Sequence, residues 1–324
     1  MAQLIKTLTS LEPIPWDGQP IKNPGIYNGI PIEAYHSGEI CVEPSISSSH
    51  LRKIYSPHPQ VTASPAHYWC RSPYNPERSV EDDEESKALL LGRAAHHLLF
   101  AQEDFRKSFA IRPLTINGES CNRVTRQGKL WHQRQEDAGL TIITQDQLAA
   151  IKGIGRELFK ESLVQRGLLN GNVECSWFWK HASGVWLKIR PDASPKDSLN
   201  YVDLKLTRSI MWPSLQYTIR DYGYFMQAGL VAMGVKAITG QNLETFSLVF
   251  AENTEPHCIE IVTFKDGDIK RGVDACEIAI AKFNKCWVEK RWPGPRGDRE
   301  EAQWIEMTEF DQKRIDEQIV LDRK

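Results

Sequence analysis

The seven cysteines are odd in number and scattered, and no CxxC pair occurs among them. That argues against a disulfide frame and for free thiols in a reducing cytoplasm. Cys276 and Cys286 alone cannot hold an iron–sulfur cluster, which usually takes four thiolates. No apolar run approaches the length of a membrane span, and the longest candidates are broken by charge. The first residues, MAQLIKTLTSLEPIPW, contain neither a long apolar stretch nor a small-residue cleavage site, so no signal peptide is expected. Positive charge is not in surplus either: 40 Lys and Arg stand against 42 Asp and Glu, a net charge of −2. A generally basic, DNA-coating protein is thereby disfavoured, although a local basic channel is not. Internal repeats and low-complexity tracts are also lacking.

What is present is the composition of an ordinary globular protein, with 41% hydrophobic and 25% charged residues. A chain of 324 residues suits one large domain, or a core with an appendage. Residues 1–45 are rich in Pro and Gly and read as an irregular arm. Ser47, Ser48 and Ser49 precede a short capped helix, and Ser64-Pro65 opens another. The polar stretch 71–86, with its acidic run from Glu81 to Glu85, reads as a loop. A helix is expected from Lys87 to Phe100, capped by Ser86, with Gly92 and His96 on one face. A second helix is expected near 145–168, after a loop-like region at 113–130.

Three strands are expected between residues 173 and 206, with a hairpin turn at His181-Ala182-Ser183-Gly184. A long helix over 213–235 follows, then strands at 245–251 and 258–264, and a helix over 268–290. The charged tail should form a final helix packing through Trp304, Ile305, Phe310 and Ile315. This order predicts an α/β core with an N-terminal helical elaboration.

The densest chemical signal is Arg190-Pro191-Asp192 followed by Asp203-Leu204-Lys205. Asp203 and Lys205 are two apart, so on a strand both leave one face, while Val202, Leu204 and Leu206 line the other. A buried lysine and aspartate are costly unless they pair or bind a metal. Aspartate oxygens suit Mg²⁺ or Mn²⁺, which polarise a phosphate and lower the pKa of bound water. A neighbouring lysine can orient that water or stabilise developing charge. The plainer reading of this pair is a cross-strand ion pair. Glu174 is either an exposed strand glutamate or a further partner of the site. Gly92 would let its helix approach closely enough for His96 to reach the metal, whereas His97 points about 100° away. Tyr224 and Gln227 face the site or simply pack. Arg123, Arg126, Lys129, Arg208 and Arg220 are candidates for a phosphate track, or are only solvated.

Taken together, Gly92-x-x-x-His96, Glu174, Pro191-Asp192, Asp203-Leu204-Lys205 and Gln227 resemble the PD-(D/E)XK nuclease superfamily in its RecB-like branch. Within it the chain is most similar to the RecE-type exonucleases, the exodeoxyribonuclease VIII family. YHSGEICVEPSISSSHLRKI, SPAHYW, ESKALLLGRAAHHLLF and DYGYFMQAGL extend the resemblance over roughly residues 35–290.

The resemblance implies a central mixed β-sheet flanked by helices and a Mg²⁺-dependent site. His96, Asp192, Asp203 and the Leu204 carbonyl would ligate metal. Lys205 would position or activate the water, and Glu174 and Gln227 would support the site. It further implies 5′-to-3′ digestion of linear duplex DNA, leaving 3′ overhangs for a single-strand annealing protein, and a ring-shaped homo-oligomer. Many RecB-like nucleases place tyrosine four residues after this glutamine. Here Val231 stands there, with Tyr224 one turn earlier. The four-cysteine cluster of some relatives is absent, so no iron–sulfur centre is expected. The implied organisation is an arm at 1–45, a nuclease domain at 46–292 and a charged tail at 293–324.

Other readings use the same residues differently. A structure-specific or defence endonuclease would share the metal site. A catalytically silent DNA-end-binding protein would have no need of so costly a buried charge set. A zinc protein built on His96, His97 and the cysteines has no paired ligand spacing in its favour.

Overall fold

The structure, a computed structural model, describes residues 12–78, 87–100, 105–173, 175–196, 198–297 and 299–323. The chain begins with strands β1 (Ile14–Pro15) and β2 (Gly25–Asn28), helix α1 (Ile32–His36) and strand β3 (Ser45–Ile46). Helices α2 (Ser48–Ile54), α3 (Pro65–Trp69), α4 (Lys87–Leu99) and α5 (Phe105–Ser108) follow. A small lobe comes next, with β4 (Phe109–Ile111), β5 (Thr115–Ile116), β6 (Glu119–Ser120), α6 (Arg126–Asp137) and β7 (Thr141–Ile143). Helices α7 (Gln145–Lys160) and α8 (Ser162–Gln165) lead to five strands. These are β8 (Asn172–Val173), β9 (Ser176–Lys180), β10 (Trp186–Ile189), β11 (Ala193–Ser194) and β12 (Asn200–Thr207). The remainder is α9 (Trp212–Asp221), α10 (Tyr224–Thr239), β13 (Thr245–Glu252), β14 (Ile259–Thr263), α11 (Asp266–Glu289) and α12 (Glu309–Asp322).

The α/β class is as expected, with mixed sheets flanked by helices, but the strands divide between two five-stranded sheets. One runs β1-β2-β9-β10-β3 and the other β14-β13-β12-β11-β8. The β9–β10 hairpin turns at Gly184, whose φ of 89° suits glycine. Pro191 then ends the extended run, and the chain crosses to the second sheet. There β11 lies antiparallel to β12, with Ala193 opposite Val202, while β12 runs parallel to β13.

Helix α10 sits between the sheets. Its Met226, Leu230, Val231 and Val235 pack among Trp177, Trp179, Leu187 and Ile189 of the first sheet and Tyr201, Phe246, Leu248 and Phe250 of the second. A helix covered on most sides must be largely apolar, and α10 is, apart from Gln227 at the site and Lys236 in its exposed last turn. Helix α11 presses on it so closely that a Cβ on Gly229 would lie 2.2 Å from the Gly272 carbonyl carbon. On the outer face of β12, Val202 and Leu204 pack with Ile154 and Leu158 of α7.

Several expectations are corrected. Described residues of the arm at 1–45 are not irregular. They supply β1, β2 and α1, and their Ile21, Tyr27, Ile30 and Tyr35 bury Phe178 and Trp186. The long helix after β12 is two, broken at Gly223, which adopts a left-handed φ of 62°. Residues 113–130 contain the β5–β6 hairpin and the start of α6. The tail does form α12, but Trp304, Ile305, Phe310 and Ile315 are exposed rather than packed. Ser86 and the acidic run before it lie outside the described residues. Among the described residues no helix is long and apolar enough to cross a membrane.

Candidate active site

Asp203 and Lys205 leave the face of β12 that α10 covers, two residues apart as strand geometry requires. Their carboxylate and ammonium form an ion pair through Asp203 Oδ2 and Lys205 Nζ. Gln227 on α10 donates from Nε2 to Asp203 Oδ1 at 3.0 Å. Asp192 arrives from the crossover between the sheets and accepts the Leu204 N–H on Oδ2 at 2.6 Å. Its other oxygen lies 3.0 Å from His96 Nδ1, and His96 Nε2 lies 3.1 Å from the Leu204 carbonyl oxygen. Four elements thus converge: α4, the start of β11, β12 and α10. Tyr224 joins from the first turn of α10, its ring centroid 5.2 Å from Lys205 Nζ.

Both aspartates are buried, at 6% and 3% exposure for Asp192 and Asp203, so their charges depend on these partners. Burial works against ionisation of Asp192, but protonated His96, Lys205 and the Leu204 N–H outweigh it and hold its pKa low. Asp203 goes the other way: burial and the neighbouring Asp192 charge push its pKa up. For His96, burial favours the neutral ring, yet Asp192 and then Asp203 raise its pKa from 6.5 to about 9. Lys205 likewise resists desolvation through Asp203 and is held firmly as an ammonium.

The donors suit a hard divalent cation. Asp203 Oδ2 is buried and, apart from the ion pair, has no donor aligned on it, while the imidazole draws in as a cation between Asp192 and the Leu204 carbonyl. Asp192, Asp203 and the Leu204 carbonyl could hold such an ion, with His96 joining them once its ring gives up a proton to the bound cation. Among the described residues no three His, Cys, Asp or Glu side chains form a cage. Mg²⁺ does not need one, since it commonly keeps several waters and takes one or two carboxylates.

Residues 47–303 match the family described as a PDDEXK-like domain of unknown function (DUF3799). The chain belongs to this family. The PD-(D/E)XK likeness expected from the motifs is therefore borne out. The solved structure of an exonuclease candidate from Eubacterium rectale aligns over 83% of this PDDEXK-like chain and 92% of its own, with a TM-score of 0.56. At 16% identity that likeness speaks for the fold alone. A phage-related exonuclease from Haemophilus somnus and an alkaline exonuclease from Laribacter hongkongensis align over 61% and 60% of this chain and 95% of each of theirs. Both are 12% identical, with TM-scores of 0.29 and 0.27, too low to support an argument. No curated protein matches the chain.

The other residues singled out from the sequence do not all join the PDDEXK-like site. Glu174 lies outside the described residues. Arg123 pairs with Glu136 at 2.5 Å, and Arg126 and Lys129 are exposed at the start of α6. Arg208 is exposed just past β12, and Arg220 pairs with Asp221. His97 turns away, its ring against Phe105 and Phe109.

A cationic pocket that the motifs do not mark adjoins this site. A cavity of about 230 Å³ runs from Asp203 and Gln227 past Arg190 to His36 and the hydroxyls of Ser47, Ser48 and Ser49. Arg190 is fixed by Ser176 Oγ at 2.8 Å and the Ile30 carbonyl at 2.9 Å, with its guanidinium over Tyr35. Beside it Lys188 is wholly buried, donating to the Tyr35 carbonyl at 2.6 Å. Burial, together with the other cations here, lowers Lys188 to about 8 and His36 to about 4. The signal was present: Lys188, Arg190 and Asp192 alternate in KIRPD. The half of the pocket supplied by α1 and α2 comes from distant sequence.

Proposed function

We propose that the chain is a Mg²⁺-dependent deoxyribonuclease, with Mn²⁺ able to substitute, that digests linear duplex DNA from its ends. The buried set of Asp192, Asp203 and Lys205 around the Leu204 carbonyl carries this reading, because a fold alone has no use for so expensive a group of charges. His96, Asp192, Asp203 and the Leu204 oxygen would hold the cation, which supplies Lewis acidity toward the phosphate and acidifies water. Lys205 stays protonated, so it acts as a donor that orients the attacking water and stabilises charge on the phosphate, not as a base. Gln227 holds Asp203 in place through Oδ1. Water adds to phosphorus as the 3′ oxygen departs in line. Glu174 would support the site, and Arg123, Arg126, Lys129, Arg208 and Tyr224 would contact DNA.

The pocket beside Asp203 supports an end-directed enzyme. Arg190, His36 and three serine hydroxyls suit a terminal phosphate, and Lys188 adds positive potential from below. Digestion from 5′ ends, 3′ overhangs passed to a single-strand annealing protein, and assembly as a ring complete the reading. The test is digestion of linear and closed-circular duplexes with Mg²⁺, comparing wild type with Asp203→Ala and Lys205→Ala. Loss of the linear form alone, with each variant down at least about 100-fold, is the expected result. Cutting of circles would make it an endonuclease, and an inert wild type would leave an end-binding protein.

A further inference from the structure

An aromatic surface leads outward from Lys205, from the core-packed Tyr224 to the exposed Tyr222. Tyr224 is half-buried, with Lys205 Nζ 5.2 Å from its centroid on one side and Phe250 at 6.2 Å on another. Tyr222 lies almost parallel to it, at a centroid distance of 5.7 Å and an interplanar angle of 14°. Yet Tyr222 remains 55% exposed, and among the described residues Tyr224 is the one ring stacked on it. Its backbone is fixed all the same. Gly223 turns the chain between α9 and α10 at a φ of 62°, and Arg52 of α2 donates to the Tyr222 carbonyl at 2.6 Å. A rigid aromatic plane is thus presented to solvent two rings away from the ammonium at the reacting phosphate.

We propose that Tyr222 is a stacking face for an unpaired base of the strand being cut, a positioning contact that rests on the nuclease reading above. A flat ring stacked parallel on a second ring suits another flat ring, and the flanking cations, Arg52 at the Tyr222 carbonyl and Lys205 over Tyr224, suit a nucleotide's backbone. Interior pairs bury both faces in the stack and a paired end exposes only one, so a terminal base freed from its partner is the occupant that can turn and lay its face on a ring set beside the cutting site. Stacking on an aromatic is tolerant of sequence because every base has a π-face. The enzyme would therefore open the terminal base pair as it takes up an end, and frayed or A·T-rich ends would be processed faster than G·C-rich ones.

The experiment uses the full chain with blunt and frayed linear duplexes carrying 5-iodouracil at the terminal position. Complexes are formed with Ca²⁺ in place of Mg²⁺ and irradiated, and the crosslinked peptide is mapped. The expected crosslink is at Tyr222. With Mg²⁺, Tyr222→Leu should raise KM by about tenfold, more than it lowers kcat, and Tyr222→Phe should restore it. A purely structural role would not produce the crosslink. If wild type cuts DNA but the crosslink maps elsewhere and Tyr222→Leu keeps its KM, the stacking face is wrong and the nuclease reading stands. A change in oligomer mass in Tyr222→Leu, with KM unchanged, would likewise overturn it in favour of a contact between copies. A wild type that neither cuts nor crosslinks overturns both.

Discussion

Asp192 and Asp203 are chemically identical and neighbours across one strand pair, but the surrounding charges push them in opposite directions. The pKa of Asp192 is lowered, so its ionised form adds stability that is present above the ordinary carboxylate pKa and lost as pH falls through its own. The pKa of Asp203 is raised, so at neutral pH its charge costs stability. In metal-free buffer at pH 7, Asp192→Asn should lower the Tm more than Asp203→Asn, where relief of a costly charge offsets part of what Lys205 loses, which thermal melts would check. A larger loss in Asp203→Asn would contradict the assigned environments. Lys188 supplies a second test. Its pKa falls from 10.5 to about 8 on folding, so between those values the unfolded chain binds a proton that the folded one does not. Wild type should gain on the order of 3 kcal/mol relative to Lys188→Met as pH rises across that window, measured by urea unfolding at both ends.

At the scale of elements, α10 ties site and fold together. Its first turn carries Tyr224 and Gln227 to the carboxylates, and the rest fills the space between the sheets. That position depends on Gly229, whose missing side chain admits the α11 backbone at Gly272. Gly229→Ala should force the helices apart, at a cost of about 1–3 kcal/mol in urea unfolding, with a loss of activity through displaced Gln227. An activity loss without destabilisation would mean that the close approach is not what holds Gln227. The apolar character of α10 was evident from its composition. The break at Gly223 was not, because a lone glycine inside a helical pattern is usually tolerated.

For the molecule as a whole, the core ends before the tail. No residue of α12 is buried, and Trp304 and Ile305 are almost fully exposed. Truncation after residue 303 should change unfolding free energy by about 0.5 kcal/mol or less in urea titration. A larger loss would show that the tail covers the domain in solution. The N-terminal segment behaves oppositely. Its Pro- and Gly-rich composition resembles an irregular arm, yet it contributes β1 and β2 to the first sheet and, through α1, one wall of the cationic pocket. Composition misses this because short strands beside turns carry little periodicity of their own; β2 is stabilised by pairing with β9, and β1 by pairing with β2.

The linear order of residues was enough for the α/β class, most helices, the β12–β13–β14 strands and the pairing of Asp203 with Lys205. All of these follow from local spacing: period two along a strand, near 3.6 along a helix, and apolar runs where both faces are covered. Long-range closure settled the rest. The split into two sheets depends on where the chain crosses at Pro191. The nearness of His96 to Asp192 and of Gln227 to Asp203 depends on how α4 and α10 pack, over separations of 96 and 24 residues. The opposite pKa shifts of the two aspartates follow from burial and from which charges those helices bring near, neither of which is present in an unfolded chain.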